Sequence, residues 1–154
     1  MELKLRKDVP AELTWDLSSI YTKEEELQKD METLKVLSRR MVQDYKGNLD
    51  SPQIINSCLD DFREVTRLLT LVETYCNLAV SVDYYDTHNQ EQDEAVSRLA
   101  SKISSQLSFI DTEIASREES VLKEAIAIAT HNKCYLQDIL FHQPQKNQIS
   151  YPPI

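Results

Sequence analysis

From Ile54 to Val82 an apolar residue recurs every three or four positions: Ile55, Cys58, Phe62, Val65, Leu69, Val72, Cys76 and Ala79. That 3.5-residue repeat is the seam of an α-helix packed lengthwise against neighbouring helices. Ile54, Leu68, Leu71, Tyr75, Leu78 and Val82 form a second stripe on an adjacent face. A helix apolar on two sides needs partners on both, so the remainder of the chain is expected to wrap round this rod. The 154 residues include one glycine and five prolines, and 41% are hydrophobic. Such a composition favours long helices over sheet or disorder, at a length that fits one domain with a real core. The fold class that follows is all-α. We expect an elongated antiparallel helical bundle of three long helices plus one or two short C-terminal helices, with an extended N-terminal arm.

The arm covers residues 1–21. Proline extends its predecessor in Asp8-Val9-Pro10, and Thr14 to Tyr21 has no helical period. Trp15, Leu17, Ile20 and Tyr21 cannot be buried within so short a segment, so they are expected to dock on the bundle. Asp16 or Ser18 should bond the local backbone. The bundle itself covers 22–141. Thr22 and Glu25 read as a capping box that starts the first helix near Lys23. Its stripe is Leu27, Met31, Leu34, Met41 and Tyr45, widened by Leu37, and it ends at Lys46-Gly47, where glycine suits a left-handed cap. Ser51-Pro52 opens the central helix; continued to about Asp86 it would hold roughly 35 residues and reach ~50 Å.

Asn89 and Gln92 resemble a further capping box, for a third helix running to about Ala115. Val96, Leu99, Ile103, Leu107, Ile110 and Ile114 form its stripe, with Phe109 beside it. The small residues Ala95, Ala100, Ser101, Ser104 and Ser105 are expected to let it approach the central rod closely. Ser116 and Glu119 cap a shorter fourth helix, and Asn132 a fifth, from Lys133 to Phe141. Residues 142–154 are polar and then proline-rich, a tail expected to be poorly structured.

The formal charge of −9 argues against nucleic acid and anionic membranes as partners. No apolar run approaches the ~20 residues of a membrane span, and no signal peptide is visible in the charged stretch from Met1 to Pro10. Cys58, Cys76 and Cys134 are odd in number, and two lie on the seam. They read as free thiols of a reducing cytosol rather than an oxidised pair. The cluster Asp83-Tyr84-Tyr85-Asp86-Thr87-His88-Asn89 reads as a hinge between helices; the other reading is a binding surface.

Chemistry is harder to find. A hydrolytic zinc site needs two imidazoles on one helical face, a third ligand and a base, as in H-E-x-x-H. His88, His131 and His142 fall in separate segments, and His131 with Cys134 lacks companions. Adjacent carboxylates such as Asp60-Asp61 and Glu118-Glu119 point different ways on a helix. A single glycine leaves no phosphate loop, and there is no nucleophile elbow. No residue is nominated as catalytic, metal-binding or cofactor-binding.

A family resemblance supplies what spacing does not. Val9-Pro10, then Thr14-Trp15-Asp16-Leu17-Ser18-Ser19-Ile20-Tyr21, then Tyr45-Lys46-Gly47-Asn48-Leu49 resemble the N-terminal region of oligoendopeptidase F, a branch of the thimet-like zinc metallopeptidases. Tyr75, Asp83, Asn89, Gln92, Phe109-Ile110 and Glu113-Ile114 fall where that family has similar residues, so the likeness runs from about residue 6 to 140. It implies a cytoplasmic protein. It also implies the non-catalytic N-terminal lobe of a zinc metalloendopeptidase that hydrolyses short peptides, forming one wall of the peptide channel.

In that family zinc is held by an H-E-x-x-H helix and a downstream glutamate, with the motif's own glutamate as general base. None of these has a counterpart here. Zinc is therefore expected only in a separate catalytic domain, and this chain is expected to be inactive alone, as a truncation, a frameshift product or a deliberate fragment. The partners implied are that catalytic domain, or a second copy joined through exposed apolar helix faces; peptides would bind only to the full-length enzyme. A stand-alone helical protein–protein interaction module derived from the lobe is the alternative.

Overall fold

A computed structural model describes residues 6–143, apart from the side chains of Lys7 and Ala11. Among the described residues there are six α-helices and no strand: α1 Glu24–Tyr45, α2 Pro52–Val82, α3 Thr87–Leu107, α4 Phe109–Ala115, α5 Glu119–Ile128 and α6 Lys133–His142. Apart from His142 and Gln143, the expected tail lies outside the described residues.

α1, α2 and α3 pack on one another as an antiparallel trio, and α2 also meets α5. The doubly apolar rod is thus covered on more than one side. Its buried positions are Ile55, Cys58, Leu59, Val65, Leu68, Val72, Cys76 and Ala79. Phe62 and Leu69, expected on the seam, are only half-buried, and Ile54 remains 39% exposed. An α-helix turns every 3.6 residues, so a strict 3.5 repeat drifts off the contact line over nine turns. Leu59 and Leu68 take up that drift.

Several ends differ from the expected ones. α1 begins one residue later, and Glu26 rather than Glu25 reaches back, its carboxylate accepting from the Thr22 backbone N–H and hydroxyl at 2.9 Å each. Ser51 caps α2 as expected, accepting from the Ile54 N–H at 3.3 Å. α2 stops at Val82 after 31 residues, about 46 Å of helix. Asp86 then caps α3 by accepting from the His88 N–H at 2.9 Å. Asn89, expected as the cap, lies inside the helix and donates to the Ala79 carbonyl at 3.3 Å.

The third helix is interrupted at Ser108, whose hydroxyl donates back to the Ser105 carbonyl at 2.9 Å, a local bond that competes with helical pairing. The apolar stripe nevertheless continues through buried Ile110 and Ile114. Ser101, Ser104 and Ser105 face solvent, so only Ala95 and Ala100 serve close approach. The N-cap position of α5 is Glu118, not Ser116, and its side chain makes no capping bond.

Ahead of α1 the chain passes through two single turns of 3-10 helix, Arg6–Asp8 and Ala11–Leu13. An Asx turn follows, in which the Ser18 N–H donates to Asp16 at 2.9 Å. Tyr21 then enters the core edge-on to Tyr75, with ring centroids 5.1 Å apart, and donates its hydroxyl to Asp30 at 2.8 Å. Ile20 and Leu17 are half-buried. Trp15, expected to dock, is 68% exposed.

Candidate functional site

Two regions concentrate polar or exposed aromatic residues. The first joins the α1–α2 loop to the α4–α5 turn. Gly47 sits at φ 81°, the left-handed conformation that a residue with a Cβ avoids. That conformation turns its N–H outward to Glu113, whose two carboxylate oxygens accept at 3.0 and 2.9 Å. Arg117 pairs with Asp50 on the same loop, and Leu49 between them is fully buried. The Tyr45 hydroxyl donates to Asp61 at 2.7 Å, which also receives Arg40 at 3.3 Å. Tyr135 on α6 donates to Asp111 on α4. Burial and then the adjacent carboxylates push both tyrosine hydroxyls above their ordinary range. Cys58 lies at the centre of this region with its thiol pushed up to about 12, first by burial and then by Asp61 and Glu113.

The chemical meaning follows from those directions. A raised thiol is a poor nucleophile and a poor metal ligand, and the tyrosines are held protonated as donors. These groups hold the loops together. A second polar knot does the same for α6. Asn132 is buried and donates to Asn56 Oδ1 at 3.3 Å and Asp60 at 3.1 Å, while Asn56 donates to the Ala125 carbonyl at 3.0 Å. Periodicity gave Asn132 only as a helix cap; its tie to Asn56 needed the tertiary fold.

The second region lies at the opposite end of α2. Trp15 and Leu13 from the arm stand over Leu78 and Val82, lining an open hollow of about 400 Å³. A neighbouring hollow of about 470 Å³ shares Trp15 and Val82 and reaches Arg6, Glu12 and Asp16. The α2–α3 hinge adds Tyr84 and Tyr85, edge-to-face at 5.8 Å and both about two-thirds exposed. The hinge cluster thus presents its tyrosine rings to solvent rather than satisfying them internally.

The residues weighed for metal chemistry stay apart. His88 reaches Glu24 at 3.4 Å, His142 sits at the end of α6 beside Asp138 at 3.4 Å, and His131 lies in the α5–α6 turn. All three cysteines are free; Cys58 and Cys76 are buried and Cys134 is exposed. Among the described residues no three His, Cys, Asp or Glu side chains are grouped to hold a metal ion. The zinc of the family resemblance therefore finds no fitting ligand set in them. Nor is any described helix long and apolar enough to cross a membrane.

Fold and site together define an all-helical bundle whose loops are tied together by side-chain hydrogen bonds and ion pairs. No family model matches the chain, and no curated protein matches it. Its fold is similar to the crystal structure of a protein named "putative peptidase" from Chlamydophila abortus, with a TM-score of 0.75 at 15% sequence identity. The likeness covers 91% of this chain and 24% of that one, so the chain spans about a quarter of the neighbour's length.

Proposed function

We propose that this chain is the non-catalytic N-terminal lobe of an oligoendopeptidase F-like zinc metalloendopeptidase of the cytoplasm, one wall of its peptide channel. The observation that carries this reading is the fold likeness, over 91% of the chain, to about a quarter of a protein named a peptidase. The positions of the family-like residues support it. Gly47 and Glu113, 66 residues apart in sequence, meet at the first loop, neighbouring Tyr45 ties α1 to Asp61 of α2, and Tyr75 meets Tyr21. The lobe's own residues shape and stiffen a helical wall. The hydrolytic centre belongs to a catalytic domain that would pack beside it.

Exposed Leu13, Trp15, Tyr84 and Tyr85 favour a second reading, in which the same bundle works alone as an interaction module, binding another protein or a second copy.

Mixing the chain with the separately produced catalytic part of such an enzyme, and following zinc-dependent cleavage of a quenched fluorescent peptide, tests the first reading. The chain alone should give no turnover, and mixing should raise cleavage above that of the catalytic part by itself. Absence of both association and gain would discard the lobe. Turnover by the purified chain in the presence of a chelator would discard both readings.

A further inference from the structure

The hollows at the arm end of α2 are one groove. The two lined by Trp15 share Val82, and a third, of about 390 Å³ between α2 and α3, shares Leu78 with the smaller of those two. Its floor is apolar: Leu13 at 73% exposure and Trp15 at 68% lie in open contact with water beside half-buried Leu78 and Val82. Its walls are acidic, with Glu12 and Asp16 on the arm and Glu73 and Asp93 on α2 and α3. Glu12, Glu73 and Asp93 have no ion-pair partner among the described residues. Among the described residues Arg6 is the one cation lining the groove, and its guanidinium is held within the arm by Thr14 at 2.7 Å and the Val9 carbonyl at 3.4 Å, leaving the acidic side chains in the majority. Elsewhere the arginines of α1, α2 and α3 are largely matched to carboxylates.

We infer that this groove is a docking site for a short extended segment of another protein that carries lysine or arginine beside apolar residues. From Glu73 to Val82 the groove follows about 14 Å of helix, room for roughly four extended residues. Apolar side chains of the occupant cover Trp15 and Leu78, and its basic stems reach the unpaired carboxylates of the rim. A second copy of this chain is the wrong partner on charge, because at −9 overall it brings more carboxylate to an acidic rim.

Trp15 is the sole tryptophan of the chain, so its emission reports occupancy directly. The full chain is titrated with a synthetic peptide of leucine and lysine, and in parallel with leucine–glutamate and serine–lysine peptides. The leucine–lysine peptide should shift the emission to the blue and saturate; the other two should not. Glu73→Lys combined with Asp93→Lys, with helicity checked by circular dichroism, should weaken binding about tenfold. An unmoved emission, a serine–lysine peptide that binds as tightly, or unchanged binding by the charge-reversed variant would each overturn the inference. So would a blue shift that grows with protein concentration in the absence of peptide, which would assign the groove to a second copy.

Discussion

Glu113 receives the backbone N–H of Gly47 on both carboxylate oxygens, at 3.0 and 2.9 Å, across 66 residues of sequence. The contact joins the first loop of the bundle to the helix that follows the break at Ser108. A charge-assisted bond to a backbone donor outweighs a neutral one. Glu113→Ala should cost about 1–2 kcal/mol, read from urea unfolding, while Glu113→Gln, which keeps an acceptor, should cost less. Gly47→Ala meets no neighbour within 4 Å, so its cost is backbone strain alone, about 1 kcal/mol. Unfolding midpoints unchanged in all three would show the contact to be idle.

Asn132 is buried at 7% exposure and feeds one amide to Asn56 and Asp60. Asn132→Ala takes a donor from half-buried Asn56, while exposed Asp60 keeps Arg63, so it should cost about 1 kcal/mol. Asn132→Asp puts a second carboxylate against Asp60 and should cost at least as much at neutral pH. Because the repulsion raises the native pKa of the pair, that variant should recover stability as pH falls toward the carboxylate range. Thermal unfolding at neutral and mildly acidic pH would detect the crossover.

Thiol reactivity separates the cysteines. Cys134 is exposed at the start of α6, whereas Cys58 and Cys76 are closed off on α2. A disulfide reagent added to the native chain should titrate one thiol quickly, and the other two only after denaturant is added. Rapid reaction of all three would contradict the packing of α2.

Alkali should weaken the fold. Burial raises Cys58 from 9.0 to about 12 and Cys76 from 9.0 to about 11. Tyr21, Tyr45 and Tyr135 move in the same direction, through burial first and then Asp30, Asp61 and Asp111. In each the native state holds a proton that the unfolded chain releases first, so stability falls with rising pH. The contribution is whole below the unfolded values and is lost progressively from near pH 9 toward 12. Urea midpoints measured across that window should decline, and Cys58→Val should flatten part of the decline.

Much of the fold was legible in the spacing of apolar residues. Leu27, Met31 and Leu34 on α1 and Val96, Leu99 and Ile103 on α3 are buried where the stripes put them, because in a bundle burial and period carry the same information. Caps were less legible. Asp86, Glu26 and Glu118 hold or flank helix starts for which Asn89, Glu25 and Ser116 were equally good candidates by residue type. The choice among neighbours is made by where the preceding turn comes to rest. Trp15 lies over Leu78 and Val82 yet stays 68% exposed, because size says that a side chain wants cover, not how much of it its own chain supplies. The groove beneath it was out of reach, since its two walls lie more than 50 residues apart in sequence.

Position 38 interrupts an otherwise greasy line. Leu27, Met31, Leu34, Ser38 and Met41 are all buried on α1, and Ser38 alone is polar, its hydroxyl donating to Gln106 of α3 at 3.3 Å. Leucine and methionine at the other positions would tolerate α1 sliding a turn along its neighbour, because oil meets oil at every stop. Ser38 keeps the Lys35 carbonyl of its own helix, at 3.4 Å, at every stop, but meets Gln106 at one stop only. A single hydroxyl thereby acts as the notch that picks one alignment of two long rods, and Ser38→Leu would trade that selectivity for grip.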